Sequence, residues 1–276
     1  MPHRNLSGNK YIKVATFHMD LLELIEEAKG LMKEKMLEIE EEVCTIIGDI
    51  HADIEALEII EREIEGKAIF LGDYADRGDY PIEVYEKVLS MFVEGKAYLL
   101  RGNHETEDVY PHDLPWQLGD IERGEEIYES LKELWEKMPI SAVLNGEIFL
   151  AHGGVPCMDV KKSLLKNPSE ELAMELMWND PWEKDECGEN FKRGVMFFFG
   201  KKATKRLFEN LGVRLVIRSH EPYKVLKVEQ EGMLITLGSC ANPYGLANFA
   251  ILKFDSRIGF KDGWDFVRKF GIEFSV

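Results

Sequence analysis

Five short turns of this chain carry aspartates, histidines and an asparagine, and side chains of these types can hold divalent cations. The turns read Gly48-Asp49-Ile50-His51, Gly72-Asp73-Tyr74-Ala75-Asp76-Arg77-Gly78, Arg101-Gly102-Asn103-His104-Glu105, His152-Gly153-Gly154 and Arg218-Ser219-His220-Glu221. Asp49, His51, Asp73, Asn103, His152 and His220 offer nitrogen and oxygen but no thiolate. That set suits manganese, iron or zinc better than a thiolate zinc site or an all-oxygen calcium cage would. Six groups are too many for one ion, whereas two ions sharing a bridging carboxylate use them all. Any one of these turns alone is ordinary; the weight lies in five of them occurring in order.

Each turn follows directly on a short apolar run that reads as a strand: Val43–Ile47, Lys67–Leu71, Ala97–Leu100, Glu147–Ala151 and Val213–Ile217. Amphipathic stretches between them predict helices over Asp53–Glu65, Ile82–Phe92, Glu125–Lys137, Ser169–Met177 and Ala203–Leu211. Alternation of this kind predicts an α/β fold, and in open α/β sheets ligands bind beyond the carboxyl ends of the strands. Upstream, Asp20–Glu42 predicts one helix, or two meeting at Gly30, with Asp20 as N-cap. Downstream, Lys224–Glu229 and Met233–Leu237 flank Glu231-Gly232 as a hairpin, and Asn248–Phe254 predicts a further strand. With no repeat or linker visible, the expected organisation is one domain over 1–276: a helical N-terminal extension over 1–42, a catalytic core over 43–254 and a tail over 255–276. The tail aromatics Phe260, Trp264, Phe266, Phe270 and Phe274 are expected to pack it onto the domain.

The 276 residues suffice for a substantial core, and 45% hydrophobic with 31% charged residues is ordinary for a folded globular chain. A net charge of −17 disfavours a long nucleic acid as partner. No run reaches membrane-spanning length and the first residues lack an apolar signal core, so no membrane association is expected. Cys44, Cys157, Cys187 and Cys240 show neither zinc spacing nor a disulfide framework, which favours a reducing cytoplasm. Abundant Glu and Lys, with glutamine only at positions 117 and 230, point to a thermophilic source.

The ordered motifs GDIH, GDYADRG, LLRGNHE, AHGG, KRGVMFFFG and RSHE resemble the signature set of the phosphoprotein phosphatase family within the metallophosphoesterases. The likeness runs from about Val43 to Phe254, and MPISAVLNGEIFLAHGG and LMWNDP extend it. The resemblance implies a four-layer sandwich, a central β-sandwich flanked by helices. It implies that Asp49, His51 and Asp73 hold one divalent metal (Mn, Fe or Zn), and that Asp73, Asn103, His152 and His220 hold a second. It implies Arg77, Arg193 and Asn103 as phosphate contacts, and His104 as general acid oriented by Asp76. The implied activity is removal of phosphate from phosphoserine and phosphothreonine of a phosphoprotein or phosphopeptide. Two cations would ionise a shared water for in-line attack, a histidine suits proton donation to a poor alkoxide leaving group, and planar arginines suit phosphoryl oxygens.

Some positions depart from the pattern. Ala52 stands where the family usually has Gly, and Ala75 where it has Val. The loop at 239–245 reads Ser-Cys-Ala-Asn-Pro-Tyr-Gly, which moves the family's tyrosine by one position to Tyr244. Thr106–Asp120 bears little likeness to the family; its Pro111, Pro115 and Trp116 predict a rigid loop, with His112 at the surface. The main alternative activity is a dinucleoside polyphosphate hydrolase or other small-molecule phosphoesterase on the same fold. Asp76 before Arg77-Gly78 and Glu105 after Asn103-His104 favour the protein phosphatase branch. A nuclease and a non-catalytic binding module are the remaining readings.

Overall fold

The computed structural model describes residues 20–191 and 196–276. The chain begins with α1 (Leu21–Leu31), β1 (Met36–Ile39), β2 (Val43–Ile47), α2 (Ile54–Glu63), β3 (Lys67–Phe70), α3 (Pro81–Val93) and β4 (Ala97–Leu99). It continues through α4 (Leu114–Leu118), α5 (Gly124–Trp135), β5 (Ser141–Leu144), β6 (Ile148–Ala151), α6 (Lys162–Lys166) and α7 (Glu170–Trp178). Three short strands follow, β7 (Asp180–Pro181), β8 (Gly188–Asn190) and β9 (Met196–Phe199), then α8 (Lys201–Leu211) and β10 (Leu215–Arg218). The last elements are β11 (Leu226–Glu229), β12 (Leu234–Leu237), β13 (Asn248–Asp255), α9 (Gly263–Phe270) and β14 (Gly271–Ser275).

Two sheets are built from these strands, in the orders β1-β5-β6-β10-β12-β11 and β14-β13-β2-β3-β4, with β7-β9-β8 as a small third sheet. The period of two along a strand then sorts the apolar residues into layers. Ile46 and Ile69 of one sheet meet Leu150, Ile217 and Ile235 of the other in a core between the sheets. Their neighbours Ile47 and Phe70 face outward against α1, α2, α3 and α5. Phe149 and Val216 face outward on the other side, against α7 and α8 through Leu176, Ala203 and Leu207. Runs buried on both faces read as continuous hydrophobic text, which is why these strands were conspicuous in the sequence. The outcome is the four-layer sandwich that the motifs implied.

The tail adds an edge to this body. Strand β14 pairs antiparallel with β13, and Phe254 stacks on Phe266 with ring centroids 5.5 Å apart. Phe260, Phe266 and Phe270 are buried, while Trp264 stays half exposed. Among the described residues, no helix is long and apolar enough to cross a membrane.

Two expectations are corrected. The helix expected to run to Glu42 ends at Leu31, and Met36–Ile39 instead forms β1, parallel to β5. Met, Leu and Glu are good helix formers, but pairing at a sheet edge overrides that preference and buries Met36 and Ile39. The four cysteines, in which no disulfide framework was visible, do contain one bridge: Cys157 and Cys187 form a disulfide across 30 residues. Their spacing carries no signal; the folding of the segment around α7 brings the two together. Cys44 and Cys240 are free and buried, as a small hydrophobe would be.

Candidate metal centre

Parallel pairing puts the carboxyl ends of β2, β3 and β4 side by side in one sheet. Strands β6 and β10 are parallel neighbours in the other. The two rims meet where Asp49 forms an isolated bridge with Gly238, so side chains from both sheets reach one site. Close backbone approach there dictates glycine: a Cβ on Gly48 would stand 2.4 Å from the Leu237 carbonyl oxygen. At Gly72, φ is +111° and a Cβ would stand 2.4 Å from the Gly102 nitrogen. His51, Asp73, Asp76, Arg77 and His220 all carry positive φ without being glycine. Such strain persists only where surrounding contacts over-determine it, and it clusters at functional sites.

All six ligand candidates are buried. Asp73 Oδ2 lies 3.3 Å from His51 Nε2 and 3.3 Å from His152 Nε2. His152 Nε2 lies 2.8 Å from Asn103 Oδ1 and 3.2 Å from His220 Nδ1. Hydrogen bonds behind the rings fix which nitrogen is presented. His51 Nδ1–H donates to the Ala75 carbonyl at 3.0 Å, and His152 Nδ1–H donates to the Leu71 carbonyl at 3.1 Å. In the neutral rings, Nε2 therefore points a lone pair at Asp73 and its neighbours. Acceptor atoms converge here from four or more side chains, and Asp49 Oδ2 is buried with no hydrogen-bond partner among the described residues. Lone pairs so close repel unless cations or protons lie between them, so the donor set fits divalent metal. Two overlapping groups form, His51, Asp73 and His104 on one side and Asp73, His152 and His220 on the other, with Asp73 common to both.

Carboxylates are held in turn by backbone donors. Asp73 Oδ1 accepts from the His104 N–H at 3.0 Å, and Asp49 Oδ1 accepts from the His220 N–H at 3.0 Å. Glu105, fully buried, accepts from the N–H groups of Gly102, Asp73 and Tyr74 at 2.8, 2.9 and 3.1 Å. Burial and the nearby Asp73 charge push its carboxyl up to about 7 against those three donors. Burial works against ionising Asp73, yet the histidines around it hold it well below the usual carboxylate range. For His51, burial wins and lowers its basicity.

His104 stands beside this cluster. Its Nδ1–H donates to Asp76 Oδ2 at 2.7 Å, leaving Nε2 toward the site, 3.5 Å from Arg77 Nη2. Burial opposes its charge, but Asp73 and the Asp76 hydrogen bond outweigh that and raise it above the ordinary histidine value. The Arg77 guanidinium is steadied by the Pro111 carbonyl at 2.7 Å and by Asp113 at 3.2 Å. It forms a wall of a 360 Å³ cleft that also includes Tyr80, Asn242 and Pro243.

Tyr244 also reaches the site, its Oη 3.1 Å from His51 Nε2. The loop bearing it is tied to α2 because Asp53 accepts from the Ala241 and Asn242 N–H groups, both at 2.9 Å. Arg193 lies outside the described residues. Three supporting residues did not stand out as such in the sequence. Ser219 lies against Asp49 and accepts its N–H at 2.7 Å; Asp113 anchors Arg77; and His112, expected at the surface, is largely buried with Nδ1 2.9 Å from Asp76. Only Ser219 had a visible signal, its place between Arg218 and His220.

Known proteins are similar to this chain in sequence and in fold. The family model of calcineurin-like phosphoesterases matches residues 44–224. Serine/threonine-protein phosphatase 5 of Arabidopsis thaliana is 32% identical over 219 residues, covering 72% of this chain and 40% of that protein. The serine/threonine-protein phosphatase 4 catalytic subunit of Eremothecium gossypii is 30% identical over 220 residues, covering 72% of this chain and 68% of that protein. The structure of a protein serine/threonine phosphatase from Saccharomyces cerevisiae superposes with a TM-score of 0.81 at 22% identity, over 92% of this chain and 88% of that one, a likeness of fold. Three such relatives are much longer, and the chain spans 40% to 61% of their lengths.

Proposed function

This chain belongs to the calcineurin-like phosphoesterase family, and from that premise we propose that it is a metal-dependent phosphatase acting on phosphoserine and phosphothreonine of proteins. The observation that carries the reading is the convergence of buried lone pairs on Asp73, flanked by the His104–Asp76 pair at 2.7 Å. Asp49, His51 and Asp73 would hold one divalent ion, and Asp73, Asn103, His152 and His220 would hold the other; the N/O set suits manganese, iron or zinc. When bound, the ions supply Lewis acidity and a water ionised near neutral pH.

The chain's own residues do the rest. Arg77, held by Pro111 and Asp113, presents its remaining N–H groups to phosphoryl oxygens; Arg193 is the second such fork, and Asn103 adds a contact. His104, with Nδ1–H fixed on Asp76, turns Nε2–H toward the leaving oxygen and gives up that proton as the P–O bond breaks. Tyr244 borders the substrate beside His51. The cleft along Arg77 and Tyr80 takes the residues flanking the phosphoresidue.

A cytoplasmic location belongs to the same reading. A disulfide such as Cys157–Cys187 is compatible with it in a thermophile, whose intracellular proteins can be disulfide-rich. The Glu- and Lys-rich composition supports such a source.

The deciding experiment is a metal-dependence profile on phosphoserine and phosphothreonine peptides, with phosphotyrosine peptide and a dinucleoside polyphosphate as competitors. Manganese-, iron- or zinc-dependent turnover of the first two is expected. A clear preference for the dinucleotide would transfer the site to phosphoanhydride hydrolysis, and no turnover of any of them would remove the enzyme reading.

A further inference from the structure

We propose that His112 is a positioning residue for the phosphatase reaction, clamping Asp76 so that Asp76 can hold His104 in line with the leaving group. This rests on the reading of His104 as proton donor. Asp76 sits on a left-handed turn at φ +62°, and its carboxylate is almost wholly buried. Nothing in its own turn fixes the rotation of that carboxylate. Four donors do: His104 Nδ1 at 2.7 Å and His112 Nδ1 at 2.9 Å on Oδ2, and the N–H groups of Asp113 and Leu114, both at 2.8 Å, on Oδ1. Three of the four come from residues 112–114, inside the Thr106–Asp120 stretch that bears little likeness to the family.

The clamp has its own anchor. A carboxylate only accepts, so each imidazole must carry its proton on the Nδ1 facing Asp76. His112 Nε2 is then free to accept from the Tyr128 hydroxyl at 3.0 Å. Its ring packs at 6.2 Å from Trp135, which donates from Nε1 to Tyr85 Oη at 3.1 Å. His112 is thereby braced by α5, and α5 by α3. His112 lies one residue removed from the reacting groups, and it fixes the acceptor through which the His104 ring is oriented. Without it, Asp76 keeps both backbone donors but its Oδ2 is held by His104 alone, and the ring and carboxylate can swing together.

The test compares the metal-loaded full chain with His112→Phe, His112→Gln and His104→Asn on two substrates. A phosphoserine peptide leaves as an alkoxide and needs the proton; p-nitrophenyl phosphate leaves as a stable phenolate and needs it little. His112→Phe is expected to lower kcat on the peptide about tenfold, the lower end for a group supporting a site residue. That loss is to exceed the loss on p-nitrophenyl phosphate by about threefold or more, with KM little changed. Gln can still donate an N–H to Asp76, so His112→Gln is to recover most of the peptide kcat. Melting temperatures establish that each variant is folded. Equal losses on both substrates, or no recovery with Gln, would reduce His112 to a packing residue and overturn the proposal. His104→Asn reads the premise separately: if it shows no preference for impairing the peptide reaction, the proton-donor role itself fails and the clamp has nothing to serve.

Discussion

The phenol oxygen of Tyr244 lies 3.1 Å from Nε2 of His51, and the same nitrogen lies 3.3 Å from Asp73. One lone pair on that nitrogen can accept the tyrosine proton or bind a cation, but not both.

Tyr244→Phe is therefore expected to tighten manganese binding. The hydrogen bond removed is worth about 0.5–1.5 kcal/mol, which corresponds to roughly 2- to 10-fold in Kd. Titration calorimetry on the metal-stripped protein measures it. Weaker binding in the variant would mean that Tyr244 supports His51 rather than competing for it.

His104→Asn is expected to lower kcat on a phosphoserine peptide by about 10²- to 10⁴-fold, the usual contribution of a positioned acid. Elemental analysis is expected to find the metal content retained. Parallel loss of metal and turnover would instead make His104 a ligand, consistent with its place near His51 and Asp73.

Gly72→Ala places a methyl group against the Gly102 backbone at a φ of +111°. The cost is expected to be about 2–4 kcal/mol, from overlap and left-handed strain together. The urea midpoint should fall without a change in slope. A midpoint within experimental error of the wild type would show that the two turns can move apart.

Lys29 joins α1 to α5 through Glu133 at 2.7 Å and also pairs with Glu26. Burial works against its charge, but those carboxylates outweigh it and raise Lys29 above its ordinary 10.5. A raised lysine stabilises the fold fully below the unfolded value, and loses that contribution as pH rises through the folded one. Glu133 is lowered by the same pair, so its share is lost as pH falls through its folded value below 4.5. The stability gap between wild type and Lys29→Met is expected to be widest near neutral pH and to close at both extremes. With a partner as exposed as Glu133, solvent screening keeps that gap small. Thermal unfolding across the pH range checks it, and a gap that ignores pH would assign Lys29 to packing alone.

Much of the site was readable because glycine, histidine and aspartate interrupt strands that are apolar on both faces. Ile46-Ile47 and Leu150-Ala151 announce their ends, and Asp49 and His152 follow almost at once. What failed to show was support arriving from afar. His112 and Asp113 lie 36 residues from Asp76 and Arg77, in a stretch with no periodicity, and no spacing rule predicts which loop will wrap a carboxylate. Glu105 was visible as a letter in a motif, but its task of gathering three backbone N–H groups exists only once the turns meet. Strand β1 was hidden for a different reason: Met36–Ile39 has helical composition, and only its partner β5 makes it a strand.

The ligand candidates are split between the layers, with Asp49, His51, Asp73 and Asn103 following strands of one sheet and His152 and His220 following strands of the other. Any ion held by both sets rivets the two halves together, and parting them must first strip its coordination. Metal occupancy and resistance to heat should then rise and fall as a single equilibrium, with chelation loosening the whole sandwich rather than merely silencing one corner of it.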